Sequence, residues 1–283
     1  MSTHYPSSLS DAEWAYLQQQ LPRQSKRGRP PIHSLRAIFD AIFYVLRTGC
    51  PWRYLPANFP PWQTIFYHFR RLRLKGIWTR LLRVLHRAER ERQGRNPHPS
   101  AAIMDAQSVK TVEESAGISG FDAHKHVKGR KRHILVDTLG IPLSIYVTEA
   151  DVHDTQGARC LLAGLKCFVP RLKKIWADAA YRGQELASWC ITEGEWELEV
   201  VEREPGQRGF SVQPRRWVVE RTFSWISRNR RMSKDYERKV QTSETLIQVA
   251  MIACSSLVWG GASHLFPNTH VRAEANPPLT LPG

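Results

Sequence analysis

The sequence lacks the cysteine and histidine patterns of a disulfide-stabilised or zinc-binding protein. Its 283 residues contain five cysteines, and no two of them form a CxxC pair. This odd, scattered set argues against a disulfide framework and is the usage expected in a reducing cytoplasm. Histidines occur as an HxH at 124–126, but no HExxH helix accompanies them, so we expect no zinc site.

Long apolar runs are also absent. The most apolar stretch, 246–262, is interrupted by Gln248, two serines and two glycines. It falls below the roughly 18 uninterrupted residues that a membrane span requires, and it predicts a buried helix. The N-terminus begins polar and has no charged-then-apolar pattern, so we expect no secretory leader and a cytoplasmic location.

Acidic residues are scarce relative to basic ones. The chain has 41 Lys and Arg against 26 Asp and Glu, a formal net charge of +15. Such an excess indicates a polyanionic partner, because side chains that neutralise phosphates release counterions. A generic basic protein, such as a ribosomal one, is the alternative, although ten tryptophans indicate a sizeable globular core. The length suggests about two domains of about 150 residues.

The first part of the chain predicts an all-helical domain over residues 1–98. Ser10 and Glu13 form the sequence pattern of a capping box that opens a helix at 11–21. Apolar spacing predicts further helices at 35–48, 62–74 and 77–92, and a Gly- and Pro-containing linker follows at 94–99. The turn at 49–56 between two of these helices is compatible with a helix-turn-helix variant, and a plain trihelical packing module is the alternative.

Because of two groups of arginines, we expect this domain to be the one that binds DNA. Arg27 and Arg29, in the basic link 26–31, have the composition of an arm that enters a narrow minor groove. Arg70, Arg71 and Arg73 cluster at the end of the third helix and are expected to contact phosphates.

After residue 100 the pattern changes to short strands alternating with helices. The runs 133–137 and 141–148 predict a hairpin, and the overall order of elements predicts an α/β or α+β domain with a mixed sheet over 99–263. The Pro-rich segment 264–283 is expected to be a disordered tail.

Two predicted strands each end in an aspartate. The run 101–104 precedes Asp105, and 174–177 precedes Asp178. The carboxyl ends of strands in open α/β sheets are where ligands bind, and carboxylates are the ligands that Mg²⁺ prefers. One such aspartate often only caps a helix, but two in a strongly basic protein indicate a metal site.

A helix predicted at 215–231 carries a third acid. At 100° per residue Glu220 shares a polar stripe with Arg216, whereas Val219, Trp225 and Ile226 fall on the opposite side and are expected to pack on the sheet. From spacing alone, a solvated face with an Arg216–Glu220 ion pair is the favoured interpretation.

Five segments resemble one known family. They are 48–56 (TGCPWRYLP), 103–110 (IMDAQSVK), 120–138 (GFDAHKHVKGRKRHILVDT), 176–183 (WADAAYRG) and 216–223 (RWVVERTF). In combination they are similar to the motifs of bacterial DDE insertion-sequence transposases of the group numbered four and five, over about residues 5 to 260. The resemblance implies an RNase H-like fold for the second domain, with Asp105, Asp178 and Glu220 as its catalytic, metal-binding acids.

The resemblance also implies an activity and partners. The protein would bind the ends of an insertion sequence and catalyse strand cleavage and strand transfer with Mg²⁺, for which Mn²⁺ substitutes, using two ions. Its partners would be double-stranded DNA, as terminal inverted repeats and target DNA, and further copies of itself in a homodimer or larger assembly at the bacterial nucleoid. The alternatives are an RNase H-fold nuclease without strand transfer and a DNA-binding regulator with an inactive core.

The match is imperfect around the third acid. The group's motif has a Tyr and a Lys where this chain has Gln213 and Ser227, so Arg228 or Arg231 is the expected basic contact to DNA. Arg216 keeps the motif's spacing to Glu220 and is expected to support the site.

A histidine and a basic run are further candidates. His153 lies in a segment like the family's Val-His-Asp turn, where a structural role is the alternative to active-site support. A basic rim is expected beside the acids, touching phosphate or solvating a loop edge; it comprises Lys125, Lys128, Arg130, Lys131 and Arg132.

Overall fold

The structure is a computed structural model that describes residues 5–22, 30–113, 117–201 and 215–254. Arg27, Arg29, Gln213 and the C-terminal segment 264–283 lie outside these ranges, so the expectations about them stay predictions.

The N-terminal part is helical, as the sequence predicts. It consists of α1 (Asp11–Gln20), α2 (Leu35–Thr48), α3 (Trp62–Leu74) and α4 (Ile77–Arg92). The capping box is present, since the Ser10 side chain accepts from the Glu13 amide and the Glu13 carboxylate accepts from the Ser10 amide. Gly49 ends α2 with φ 74°, a left-handed conformation that glycine adopts without steric cost.

Apolar side chains at helical spacing join these helices. Ile38, Ile42 and Leu46 of α2 are fully buried, and Trp78 of α4 packs on Phe39. Phe66, which would share the buried face of α3 by its spacing, is 38% exposed. Its ring instead contacts Trp52, in the turn that precedes α3, in an edge-to-face arrangement with the centroids 5.5 Å apart.

The second part is built on a mixed sheet. Within the described residues its strands are β1 (Ala101–Lys110), β2 (Gly120–Asp122), β3 (Val127–Asp137), β4 (Pro142–Glu149), β5 (Lys174–Ala177) and β6 (Glu197–Val200). β3 runs antiparallel to β1, β2 and β4, whereas β5 is parallel to β1 and β6 is parallel to β5. An all-helical part followed by a mixed sheet confirms the predicted fold class.

Helices cover both faces of this sheet. Because side chains alternate along a strand, Met104 of β1 faces α5 (Asp154–Leu162) and α6 (Gln184–Gly194), whereas Ile103 faces α7 (Trp217–Ser227) and α8 (Val240–Cys254). None of the helices described is long and apolar enough to cross a membrane.

The N-terminal helices share the core on the α7 and α8 face. One hydrophobic cluster contains Ile42 and Trp78 together with Ile134 of β3 and Ile247 of α8. The described residues therefore pack continuously across position 98. The domain boundary placed there stays a proposal.

Three elements differ from the sequence prediction. β1 does not end before Asp105, which is its fifth residue of ten, because β3 continues to pair with β1 as far as Lys110. β3 begins at Val127, so most of the predicted basic rim is strand rather than loop edge. α7 ends at Ser227, so Arg231, at the end of the predicted helix 215–231, lies outside it.

Candidate active site

Strand pairing brings Asp105 and Asp178 to neighbouring positions. The parallel register pairs Ile103 of β1 with Trp176 of β5, and each aspartate follows two residues later. β5 ends at Ala177, and Asp178 caps a short 3₁₀ turn by accepting from the Ala180 amide at 3.0 Å. β1 therefore extends past the end of β5, and both carboxylates lie where β5 ends.

The third acid approaches on α7, which packs across β1 and β3 through Val218, Val219, Thr222, Phe223 and Ile226. Val219 and Ile226 are buried as predicted. Trp225 is only half-buried, and the Arg221 guanidinium stacks on its ring at 4.7 Å. With its apolar face turned to the sheet, α7 presents Glu220 toward the two aspartates.

One guanidinium nitrogen shows that the three acids converge. Nη2 of Arg216 lies 3.9 Å from Asp105 Oδ2, 3.5 Å from Asp178 Oδ2 and 3.9 Å from Glu220 Oε1. Any two of these oxygens are thus separated by less than twice 3.9 Å. The i,i+4 ion pair expected on a solvated face is present, and the same arginine also reaches the other two carboxylates.

The two oxygens of each aspartate face different partners. Oδ1 of Asp105 accepts from the Ala106 amide at 2.7 Å, and Oδ1 of Asp178 accepts from the turn, so each Oδ2 faces the shared space around Arg216. The Asp105 side chain is 15% exposed, whereas that of Glu220 is 49% exposed. The cluster is therefore largely buried at Asp105 and open to solvent at Glu220.

The surroundings make a charged Asp105 unfavourable. Burial, and after it repulsion from the Asp178 carboxylate, raise the pKa of Asp105 from 3.8 to about 7. The Ala106 amide, Arg216 and Lys125 lower this pKa but offset only part of the increase. Additional positive charge between the two aspartates would favour the ionised form.

The donor set fits a hard divalent cation. Mg²⁺ and related ions take oxygen ligands, and here three carboxylates surround one cationic group. Over the described ranges, no three His, Cys, Asp or Glu side chains are already close enough to hold one metal ion. Arg216 occupies the position between the acids, so a metal ion held by all three carboxylates would require this guanidinium to move aside.

Sequence reasoning missed Tyr181. Its side chain is 1% exposed, and its hydroxyl has no hydrogen-bond partner among the described residues. Burial, then the charges of Asp105, Asp154 and Asp178, raise its pKa well above 10. The sequence did offer one indication of Tyr181. It lies three residues after Asp178, within the segment 176–183 that resembles the family.

Three residues predicted to contact DNA are buried in the structure. Arg130 is fully buried and its Nη1 lies 3.1 Å from Asp235 Oδ1, while Arg231 is ion-paired to Glu237. Lys131 is buried and its Nζ donates to the Val152 carbonyl at 2.7 Å. Because each of these charges is engaged inside the protein, the structure does not support these contacts, which stay predictions. Arg132, from the same basic run, is also buried.

The remaining basic candidates are accessible. Arg70, Arg71, Lys128 and Arg228 are exposed, and Arg73 is half-buried. Their DNA contacts stay predictions.

His153 caps α5. Its Nδ1 accepts from the Thr155 amide at 3.3 Å, which is the structural role considered as the alternative to active-site support. The side chain is exposed, and support of the active site stays a prediction.

Comparisons with known proteins identify the family to which this chain is similar. The family model described as "Transposase DDE domain" matches residues 96–255, and the model described as "Putative transposase of IS4/5 family" matches residues 9–82. The chain is 27% identical over 139 residues to the "Putative transposase for insertion sequence element IS402" of Burkholderia cepacia, covering 46% of this chain and 63% of that protein.

Among solved structures, a chain of the simian T-cell lymphotropic virus intasome in complex with the PP2A regulatory subunit B56 gamma is 18% identical to this protein. The match covers 66% of this chain and 59% of that chain with a TM-score of 0.30, a value that does not establish a common fold. The family model alone spans more than half of the sequence, including the strands and helices that carry Asp105, Asp178 and Glu220. The protein therefore belongs to the DDE insertion-sequence transposases, with the RNase H-like fold of that family.

Proposed function

We propose that the protein is a DNA transposase that binds the ends of an insertion sequence and catalyses metal-dependent strand cleavage and strand transfer. The observation that carries the proposal is the convergence of Asp105, Asp178 and Glu220 on one nitrogen of Arg216. The three acids come from separate segments of the chain, and only the fold brings them together. Transposase DDE domains are metal-dependent, which matches a cluster of oxygen donors.

In this proposal the three carboxylates hold the catalytic metal, as two Mg²⁺ ions for which Mn²⁺ substitutes. When bound, such a pair of ions activates the attacking oxygen and stabilises the leaving oxygen of an in-line phosphoryl displacement. Asp105 lies largely buried beside Asp178, and the repulsion between these two carboxylates favours binding of a divalent cation. Arg216, once displaced from the acids, presents a planar guanidinium suited to a DNA phosphate.

The charge distribution supports double-stranded DNA as the partner. The net charge of +15 favours association with a polyanion, and Arg70, Arg71, Lys128 and Arg228 are exposed. With Arg73 and the Arg27–Arg29 arm, these residues are proposed to hold terminal inverted repeats and target DNA. The proposal includes a homodimer or larger assembly that pairs two ends at the nucleoid, with residues 1–98 as the principal end-binding part.

Replacing one acid at a time tests the central claim. Asp105→Asn, Asp178→Asn and Glu220→Gln each keep the side-chain shape and remove one negative charge. Each is expected to abolish Mg²⁺-dependent nicking and joining of end DNA while gel-shift binding survives. Combining them should add little, since residues that act as one unit are not additive. Glu193→Gln, which removes an exposed acid outside the cluster, should retain parental activity.

The outcomes separate the alternatives. Near-parental nicking by Glu220→Gln would reduce Glu220 to an ion-pair partner of Arg216, and the third ligand would have to be another residue. Nicking without joining of pre-cut ends would identify a nuclease. End binding by the parent protein without any nicking in Mg²⁺ or Mn²⁺ would identify a regulator.

A further inference from the structure

The outer face of α4 carries three arginines that neither the motifs nor the acid cluster uses. α4 buries Trp78, Leu81, Leu82 and Leu85 against the core. Arg80, Arg83 and Arg87 follow at spacings of three and four residues, so they lie along one outward stripe of the helix. They line an open groove of about 490 Å³ together with Gly76, Thr79 and Val84.

The groove continues toward the sheet. Arg83 and Arg87 also line a smaller adjoining cavity with His98, Pro142 and Phe168. The guanidinium of Arg83 lies 3.8 Å from the centre of the Phe168 ring, which holds the arginine in place by a cation–π contact. The arginine stripe therefore belongs to a formed seam between α4 and the sheet rather than to an isolated helix surface.

These three charges have no acidic partner among the residues that the structure describes. Across the described parts of the chain, no carboxylate lies within ion-pairing distance of Arg80, Arg83 or Arg87. Burial, and after it the neighbouring charge of Arg87, lower the pKa of Arg83. A site in which like charges meet without a counter-charge is stabilised when an anion binds.

The groove lies away from the acid cluster. His98, in the adjoining cavity, precedes β1, whereas Asp105 lies four residues into that strand, about 13 Å further at about 3.3 Å per residue. Asp105 therefore lies further along the sheet than the cavity that adjoins the groove.

We infer that the groove formed by Arg80, Arg83 and Arg87 is a second DNA-binding surface, which grips the phosphate backbone of duplex DNA at a distance from the reacting phosphate. Arginine guanidinium groups bind phosphate oxygens in a fixed fork, and a row at helical spacing follows a backbone without reading bases. The inference rests on the proposed function, since it assigns a second contact to the same DNA substrate. It adds affinity and salt dependence but takes no part in the chemical step.

The triple variant Arg80→Gln, Arg83→Gln, Arg87→Gln of the full chain tests the inference. Each lost phosphate contact should make the dependence of log affinity on log salt shallower by about 0.9, so the slope should fall by about 2 to 3. Affinity for end-containing duplex DNA at low salt should fall at least about tenfold. The single-turnover nicking rate at saturating DNA should stay at the parental value.

A matched control removes the same charge elsewhere. Arg159→Gln, Lys166→Gln and Lys174→Gln together delete three cations that are already ion-paired to glutamates, so the slope should change little. If both triple variants lose the same affinity, the effect is one of net charge and the inference is overturned. Unchanged DNA binding with lost self-association would assign the groove to a second copy of the chain and also overturn it.

A double variant and the nicking rate cover the cases in which the triple variant alone gives no answer. If the triple variant fails to fold by circular dichroism, the pair Arg80→Gln, Arg87→Gln spares the Arg83–Phe168 contact and should lower the slope by about 2. A fall in the saturated nicking rate would place the groove in the chemistry and contradict the inference. If the parent protein binds duplex DNA but never nicks it, the proposed function fails while the binding comparison still stands.

Discussion

Asp105 is held in a position that disfavours its own charge. It lies on β1 beside Asp178, and burial and that neighbour raise its pKa from 3.8 to about 7. An unfolded chain releases this proton near pH 4, whereas the folded protein retains it until about pH 7. In the absence of metal, the free energy of unfolding therefore falls as the pH rises through this window and stays lower above it.

Asp105→Asn is expected to stabilise the metal-free protein in a pH-dependent manner. Asparagine cannot ionise, so the variant should have a higher Tm than the parent at pH 8 and a similar Tm near pH 4. The gain should be on the order of a few kcal/mol at pH 8, reached between pH 4 and 7. Thermal melts in chelator measure it, with Glu193→Gln as the control. A difference that does not grow over this window would contradict the assigned cause.

For individual residues, the sequence indicated which acids come together but not which other side chains surround them. Asp105, Asp178 and Glu220 were found because they lie in matching segments, and the structure brings them together. The buried hydroxyl of Tyr181 was not found, because its environment depends on where the turn after β5 places the ring. Burial of a single polar atom is a property of the packed molecule rather than of a motif.

At the scale of the element, β3 shows why charged residues misled the sequence prediction. Its basic run predicts an exposed rim, since unpaired charges are rarely buried. In the structure Arg130 donates to the Glu237 carbonyl at 2.6 Å and pairs with Asp235, and Arg132 donates to the Met232 carbonyl at 2.9 Å. These partners lie in a segment far along the chain, so a local pattern cannot identify them.

Arg130→Ala is therefore expected to be much more damaging than its charge alone suggests. It removes the ion-pair partner of Asp235, which is 2% exposed, and leaves this carboxylate with the Ser243 hydroxyl and the Glu237 amide as donors and with the nearby charge of Arg132. Removing one partner of a buried ion pair typically costs about 3–5 kcal/mol. Urea denaturation measures the loss, and the exposed neighbour Lys128→Ala should change stability by less than about 0.5 kcal/mol. Equal stability of the two variants would show that the Arg130–Asp235 pair does not hold the strand.

At the scale of the whole molecule, the helices and the sheet are joined by more than a linker. A single apolar cluster extends from α2 and α4 to β3 and α8. The composition and the spacing of apolar residues change near residue 98, so the sequence predicts a domain boundary there. It does not indicate how much apolar surface the two parts share across that boundary. Shared surface depends on how α4 docks on α8, which is a long-range contact.

Asp137 lies at this junction and links its two sides. The residue is fully buried, and its Oδ2 lies 3.1 Å from His86 Nε2 and accepts from Arg90 Nη1 of α4 at 2.6 Å. Its Oδ1 accepts from the Leu139 and Ile141 amides of the β3–β4 turn. Burial alone would raise the pKa of Asp137, but the contacts from His86 and Arg90 lower it below 3.8. Its stabilising contribution is thus present above pH 4 and lost as the pH falls through the lowered value.

Asp137→Asn should consequently weaken the helices and the sheet together. The variant leaves the buried Arg90 without its carboxylate, at a cost of about 3–5 kcal/mol near neutral pH. Hydrogen exchange should show amides of α2 and α4 losing the same opening free energy as those of β1 and β3, because one core connects them. Arg95→Gln, which breaks an exposed contact with Thr138 beside the same junction, should cost less than about 1 kcal/mol. If instead the helices lose protection while β1 and β3 keep theirs, residues 1–98 unfold as a separate unit and the boundary at 98 is a true domain boundary.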